Sequence, residues 1–218
     1  MRFSHQHIYR SEDVTTPVAT EILFRGTDNW GLSDAINNPS LFITHLEKMI
    51  EAKAQYIYNM LFEYPNNSFF INISPEQAAE ENFISYLKWF SFHKVPSSSI
   101  MIELTEDWSK ADYKAVIANM RQARALGFGI ALDDFGKGDT NIAVITDLMP
   151  NLIKIDMSII HRAVDCQIGR KTVESLVRFF RDLDIKTVAE GIEGKEFLSV
   201  AITSNIDYVQ GYMLHKPN

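Results

Sequence analysis

The sequence predicts an α/β fold in which short buried strands alternate with longer amphipathic helices. Runs of β-branched and aromatic residues recur along the chain, and segments with helical periodicity separate them. This alternation favours parallel pairing, because parallel strands need a crossover connection between them. A length of 218 residues suits a single α/β barrel, and an open doubly wound sheet fits the same pattern.

Six segments are predicted to be buried strands, because each is a short run rich in β-branched and aromatic residues. In chain order they are Phe69–Ile73, Ile100–Leu104, Gly129–Leu132, Leu152–Ile155, Lys186–Ala189 and Asp207–Val209. Parallel pairing would bring their carboxyl ends together at one rim of the domain, which is where α/β proteins build their sites.

Three helical segments have recognisable boundaries. Pro39 suits the first position of a helix, where its missing N–H is not needed. Ser74 and Gln77 have the spacing of a capping box. Ser109 is expected to cap the helix that ends near Gly127, a residue that takes the left-handed conformation easily.

Composition excludes several classes of protein. A hydrophobic fraction of 46% with 22% charged residues is typical of a globular protein, and no repeat or linker divides the chain, so we expect one domain over residues 1–218. The single cysteine, Cys166, cannot form an internal disulfide and favours the cytoplasm. No apolar run is long enough for a membrane span, and a net charge of -7 argues against binding to polymeric nucleic acid.

Polar and charged residues mark the ends of the predicted strands. They are Asn72, Glu103, Asp133, Asp134, Lys154, Asp156, Glu190 and Gln210. Each one alone fits a solvated loop, but the series predicts a common site. Converging carboxylates repel one another, so a hard divalent cation is expected among them, and oxygen ligands without cysteine or histidine favour Mg²⁺ or Mn²⁺ over zinc.

Two of these acids, Asp133 and Asp134, are adjacent in the chain. Neighbouring residues within a strand point to opposite faces of the sheet. At the end of a strand the backbone can turn, so we expect both carboxylates to face the site. Lys154, inside an apolar strand, is interpreted as a site residue in preference to an ordinary lysine with a buried stem.

Seven short motifs occur in a fixed order along the chain. They are EILFR at 21–25, NIS at 72–74, ELTE at 103–106, DDFG at 133–136, KID at 154–156, AEGIE at 189–193 and QGY at 210–212. The set resembles the EALLR, NLS, E(L/I)TE, DDFG, KID, AEGVE and QGY motifs of the EAL-domain phosphodiesterases of bacterial cyclic-di-GMP signalling. Each motif is weak alone, whereas their order and placement together are specific.

The resemblance implies a fold and a role for each matching residue. The fold is a modified TIM-type (β/α)8 barrel whose first strand, near Phe3–Tyr9, is antiparallel to the others. The implied metal ligands are Glu21, Asn72, Glu103, Asp133, Asp134 and Glu190. The implied catalytic residues are Lys154, which would orient the attacking water, together with Glu190 and Asp134. The implied substrate-binding residues are Arg25 and Gln210. The implied supporting residues are Glu106, Asp156 and Glu193.

The implied activity is metal-dependent hydrolysis of cyclic di-GMP to linear 5′-pGpG, in a possible homodimer. Lys137 and Asp139 depart from the family loop, which has threonine and tyrosine there, and Gly26 replaces a tryptophan. These changes predict weaker catalysis or substrate affinity. The alternative is therefore a weak or inactive EAL-fold protein that binds cyclic di-GMP or another protein. A barrel acting on another phosphate ester rests on fold analogy alone.

Two other features suggest sites that we do not favour. The Gly136-Lys137-Gly138 segment lacks the spacing of a Walker A loop, and a mobile loop explains it better. His5 and His7 alternate along the first strand and are candidate metal ligands, but a half-exposed strand is the preferred interpretation.

Overall fold

The computed structural model describes residues 1–105, 107–137 and 142–218. Eight strands of this part close into a barrel in chain order. They are β1 Arg2–Arg10, β2 Asp13–Gly26, β3 Ser68–Ile73, β4 Ile100–Leu104, β5 Gly129–Phe135, β6 Leu152–Ile155, β7 Lys186–Ala189 and β8 Tyr208–Val209. β1 is antiparallel to both of its neighbours, and the other pairs are parallel. The modified TIM-type barrel is confirmed, and the open sheet is excluded.

Helices surround this barrel. In the described ranges they are α1 Leu32–Asn37, α2 Ser40–Thr44, α3 Leu46–Met60, α4 Pro75–Ala78, α5 Phe83–Tyr86, α6 Lys88–Phe92, α7 Tyr113–Ala125, α8 Ile142–Leu148, α9 Met157–Asp165, α10 Gln167–Asp182 and α11 Lys195–Thr203, with a 3₁₀ turn at Ser97–Ser99. None of the helices in the described part of the chain has the length and apolarity that a membrane crossing requires.

Alternation along the strands separates an outer apolar layer from the barrel interior. Outward residues such as Ile71 and Ile102 pack with helix residues such as Ile57 in the main core. The interior is apolar at the amino ends of the parallel strands, where Phe70 and Leu152 belong to a separate cluster. Polar side chains occupy the interior nearer the carboxyl ends, so the barrel places its charged residues at one rim.

Most of the predicted strands agree with the structure, and three match it residue for residue: Ile100–Leu104, Leu152–Ile155 and Lys186–Ala189. The strand that begins at Gly129 was expected to end at Leu132, but it continues to Phe135. The long strand β2 was not among the predicted segments. Its first six residues are not buried, so this half of the strand lacks an apolar run.

The capping predictions have mixed outcomes. The capping box at Ser74 is confirmed, because its hydroxyl accepts from the Gln77 N–H at 3.3 Å. Gly127 has a φ of +94°, as the predicted helix end requires. Ser109 was the wrong cap for α7. The carboxylate of Asp112 accepts from the first-turn N–H groups of this helix, and Ser109 donates its hydroxyl to Asp107 instead.

The helix predicted to begin at Pro39 is divided in two. Pro39 precedes the short helix α2, occupying its N-cap position and not its first helical position. α2 ends at Thr44, and α3 begins after His45, whose φ and ψ are not helical. The long helix α3 is therefore a separate helix from the segment that precedes it.

Candidate active site

A buried lysine lies at the centre of the charged rim. Lys154 is 1% exposed on β6, and its Nζ lies 2.7 Å from carboxylate oxygens of both Glu103 and Glu190. Nζ also lies 3.3 Å from Glu21 Oε2 and 3.3 Å from Asp133 Oδ1. The four acids come from different strands or strand ends. The structure thus brings together five side chains that are far apart in the chain.

One ammonium group cannot neutralise four carboxylates, and the pKa values reflect this imbalance. Burial raises the pKa of Glu103 well above its usual range, and Asp133 and Glu21 add to the effect against the attraction of Lys154. Burial likewise raises the pKa of Glu190 to about 8. Burial would lower the pKa of Lys154, but the surrounding carboxylates raise it well above its usual range. Lys154 therefore keeps its proton.

Glu21 differs from the other acids because two amide side chains hold its carboxylate. Asn72 Nδ2 donates to Oε1 at 2.7 Å, and Gln210 Nε2 donates to Oε2 at 2.7 Å. Burial opposes ionisation of Glu21, but Lys154 and these hydrogen bonds lower its pKa. Gln210 also donates to Gln6 Oε1 at 3.3 Å. Glu21 is consequently a charged group with a fixed orientation.

The adjacent acids after Leu132 face the same region, as expected. Asp134 has a φ of +51°, a left-handed conformation that aspartate tolerates better than most residues. The register of β5 is also irregular between Leu132 and Phe135. As a result, one carboxylate oxygen each of Asp133, Asp134 and Glu190 lie within 4.8 Å of one another. This acidic group is able to hold a metal ion.

The polar atoms of the site fit a bound cation. Glu103 Oε2 and Gln210 Oε1 are buried and accept no hydrogen bond from the described residues. Unsatisfied buried oxygens are costly, and a cation that they coordinate would remove this cost. The oxygen-rich ligand set is suited to a hard divalent ion. Excess negative charge and unsatisfied oxygens therefore both favour metal binding at the barrel rim.

Lys53 is a site residue that the sequence did not reveal. It is 3% exposed on α3, and its Nζ donates to the backbone carbonyl of Asn72 at 2.7 Å. Burial lowers its pKa to about 8, although Glu103 and Glu21 act in the opposite direction. The sequence does hold one signal for this residue, because a lysine within the apolar stripe of a helix is unusual. Its contact positions the residue that holds Glu21.

Two further residues lie at the edge of the site: Arg25, which the resemblance implies in substrate binding, and Lys137, from the altered loop. Arg25 is exposed at the end of β2, where its Nε donates to Ser4 Oγ at 2.7 Å. It lines a cavity of about 280 Å³ together with Asn72. On the other side, Lys137 Nζ forms an ion pair with Asp134 Oδ2 at 2.7 Å. A cation from the altered loop thus contacts one of the acids directly.

The implied supporting residues have different environments. Asp156 is buried, and its carboxylate accepts from Ser158 N–H at 2.9 Å as the N-cap of α9. Glu193 is exposed. Glu106 and Asp139 lie outside the described residues. The described contact of Asp156 therefore fixes the helix that follows β6, and its role beside Lys154 stays a prediction.

Comparison with known sequences identifies related proteins. A family model described as EAL domain matches residues 18–217. The cyclic di-GMP phosphodiesterase PdeA of Borreliella burgdorferi is 29% identical over 205 residues, which are 90% of this chain and 31% of that protein. The cyclic di-GMP phosphodiesterase PdeF of Escherichia coli is 28% identical over 170 residues, which are 78% of this chain and 23% of that protein. The chain spans less than a third of the length of these curated relatives.

Comparison with solved structures also finds EAL proteins. The EAL enzyme Bd1971, in its form bound to cAMP and cyclic di-GMP, gives a TM-score of 0.86 at 26% identity, covering 99% of this chain and 61% of that chain. The PaMucR phosphodiesterase complex with c-di-GMP gives a TM-score of 0.85 at 21% identity, covering 99% of this chain and 91% of that chain. At this identity the likeness shows the fold alone. Because the family model matches nearly the whole sequence and the barrel is the same, this chain belongs to the EAL domain family.

Proposed function

We propose that this protein is a metal-dependent phosphodiesterase that hydrolyses cyclic di-GMP to linear 5′-pGpG. The observation that carries the proposal is the convergence of Glu21, Glu103, Asp133 and Glu190 on the buried Lys154 at the barrel rim. The related proteins named as cyclic di-GMP phosphodiesterases supply the substrate. A homodimer is part of the same proposal and rests on the family resemblance alone.

The oxygen-rich set is proposed to hold Mg²⁺ or Mn²⁺. The proposed ligands are Glu21, Asn72, Glu103, Asp133, Asp134 and Glu190. When bound, two such ions would supply an activated water and stabilise charge in an in-line displacement at phosphorus. Carboxylate and amide oxygens are the ligands that these ions prefer. The unsatisfied Glu103 Oε2 supports this assignment independently of the resemblance.

The protein's own groups have separate tasks in the proposed reaction. Lys154 keeps its proton and is proposed to orient the attacking water by donating from Nζ. Asn72 and Gln210 hold the Glu21 carboxylate in one orientation through their amide groups. The exposed guanidinium of Arg25 is proposed to bind a substrate phosphate, because arginine forms paired hydrogen bonds to phosphate oxygens.

The primary test is a direct assay with cyclic di-GMP. Purified protein is stripped of metal with a chelator, divided, and supplied with Mg²⁺, Mn²⁺ or no ion. We expect linear 5′-pGpG with at least one ion and none without. Binding of cyclic di-GMP without product under either ion would contradict the enzyme and support a binding module.

Metal affinity is expected to rise with pH. Burial raises the pKa values of Glu103 and Glu190, so both carboxyls tend to hold protons that an ion must displace. Between pH 6 and pH 8 the apparent affinity for Mn²⁺ should increase by up to about tenfold per pH unit for each proton released. Calorimetric titration of metal-free protein at three pH values measures this. Glu174→Gln, at an exposed position of α10, should show the same increase, and a flat profile would contradict the proposed ligands.

One contact favours the weaker-activity alternative. The ion pair between Lys137 and Asp134 competes with any cation for the same carboxylate. We expect Lys137→Thr to raise apparent Mn²⁺ affinity by about two- to fivefold, since exposed ion pairs contribute roughly 0–1 kcal/mol. The measurement is the Mn²⁺ dependence of the initial rate. Lys137→Arg preserves the charge and should behave as the original protein does, and equal affinities in all three proteins would show that Lys137 does not limit metal binding.

A further inference from the structure

A second cluster of metal-binding side chains lies apart from the acidic rim. One ring nitrogen each of His5, His7 and His215 lie within 4.8 Å of one another. The ring centroids are 5.1 Å apart for His5 and His7, 5.7 Å for His5 and His215, and 4.3 Å for His7 and His215. We call these three residues the histidine cluster. It consists of nitrogen ligands only, whereas the acidic rim offers oxygen.

The barrel architecture explains why these histidines meet. Along β1, Gln6 points into the barrel and bonds to Gln210, so the flanking His5 and His7 point outward. β8 is two residues long and pairs only with the last two residues of β1. The following segment, residues 212–218, begins with a turn and then places His215 and Asn218 beside the rest of β1. We call it the tail, and its Asn218 carbonyl accepts from the His5 N–H at 3.3 Å.

Neighbouring groups orient two of the rings. His5 Nδ1 contacts the Tyr56 hydroxyl at 3.2 Å, and His7 Nδ1 contacts the Thr20 hydroxyl at 3.0 Å. Metal-binding histidines commonly use their second ring nitrogen in this way, because the outer hydrogen bond fixes the ring. These contacts leave the Nε2 atoms of His5 and His7 for an ion.

The third ring needs a small adjustment. His215 Nδ1 accepts from the His7 N–H at 3.4 Å, a long contact that a rotation of this ring would break. His215 is only partly buried and lies on the tail, so the rotation meets little resistance from the core.

The histidine cluster is also in the protonation state that metals require. Burial, together with the neighbouring imidazoles of His215 and His5, lowers the pKa of His7 to about 4 against the attraction of Glu63. Burial lowers the pKa values of His5 and His215 as well. All three rings are therefore neutral near pH 7, and an ion would not have to displace protons.

The burial of His7 also corrects a prediction from the sequence. Its side chain is 5% exposed, so the prediction that the first strand is half-exposed is wrong at this position.

We propose that His5, His7 and His215 form a second metal site, for Zn²⁺ or a similar late first-row divalent ion. Three imidazoles suit such an ion, which completes its coordination with water or a nearby carboxylate. The ion would join the first strand to the tail. Neither the acidic rim nor the phosphodiesterase proposal is needed for this assignment.

The test uses untagged protein stripped of metal, so that no purification tag contributes histidines. Binding of Co²⁺ is followed by its visible absorption, which distinguishes nitrogen-rich tetrahedral sites from oxygen-rich octahedral ones, and Zn²⁺ then competes for the ion. We expect one tight Zn²⁺ per chain, and the loss of one ligand in His215→Ala or His5→Ala should weaken it at least about tenfold. His45→Ala, on a ring stacked against Trp30 outside the cluster, is the matched control.

A variant of the acidic rim separates the two sites. Glu190→Gln should keep tight Zn²⁺ binding and the cobalt absorption. At the same Zn²⁺ concentration, the melting temperature of the original protein and of His45→Ala should rise more than that of His215→Ala. Circular dichroism tests whether each variant is folded. If His215→Ala is unfolded, His5→Ala takes its place in these measurements. Unchanged Zn²⁺ affinity in both cluster variants, or its loss in Glu190→Gln, would overturn the proposal.

Discussion

Lys154→Met is expected to destabilise the metal-free protein by about 3–5 kcal/mol, the usual effect of removing one partner from a buried ion pair. Four carboxylates lie within 3.3 Å of the Lys154 ammonium, and methionine leaves all of them without their cation. Turnover should also be lost, because the Lys154 ammonium is the group proposed to orient the attacking water. Urea unfolding in the presence of a chelator measures the stability, and the cyclic di-GMP assay measures the activity.

Added metal should distinguish this effect from ordinary loss of packing. If the acids bind cations, Mn²⁺ should stabilise Lys154→Met more than the original protein, because the ion then replaces the positive charge that Lys154 supplied to these acids. Lys171→Met makes the same change at an exposed position of α10 and should alter neither quantity. A Lys154→Met protein as stable as the original in chelator would show that the carboxylates do not depend on this lysine.

Glu21→Gln is expected to reduce turnover at least about 100-fold. Loss of a residue that merely supports a metal ligand typically costs about 10–100-fold, and a proposed ligand should cost no less. Glutamine keeps the size of the side chain but removes its charge. Its NH₂ group would also face Asn72 Nδ2 or Gln210 Nε2, both of which are donors.

Initial rates with saturating Mn²⁺ test this prediction, and calorimetry tests metal binding in the same variant. Glu12→Gln changes an exposed glutamate in the turn between β1 and β2 and is the matched control. Turnover by Glu21→Gln at the original rate would show that Glu21 is not a ligand, whatever its position in the motif.

The positions of Glu103, Asp133 and Glu190 were predictable because they depend on alternation and strand direction, whereas Glu21 was assigned from the motif resemblance alone. Short apolar runs marked β4, β6 and β7 to the residue, and parallel pairing placed their carboxyl ends together. The turn at Asp134 was predictable because two adjacent acids cannot otherwise share a face. These inferences need only local patterns and the direction of each strand.

Contacts between distant segments were not predictable. Lys53 reaches Asn72 only because α3 packs on β3 at one particular height, and no sequence pattern sets that height. The histidine cluster depends on the path of the tail after β8. The first half of β2 was missed because it is not buried, so its partner strand, and not its own composition, determines its structure.

The tail also has a consequence for solubility. β8 pairs with Tyr9 and Arg10, and within residues 1–105, 107–137 and 142–218 no strand pairs with the rest of that edge of β1. The tail lies along this edge, where the carbonyl of Asn218 and the ring of His215 accept from backbone N–H groups. Open strand edges recruit other chains and promote aggregation. By covering β1, the tail keeps the barrel from offering a template on which a second molecule would add a strand.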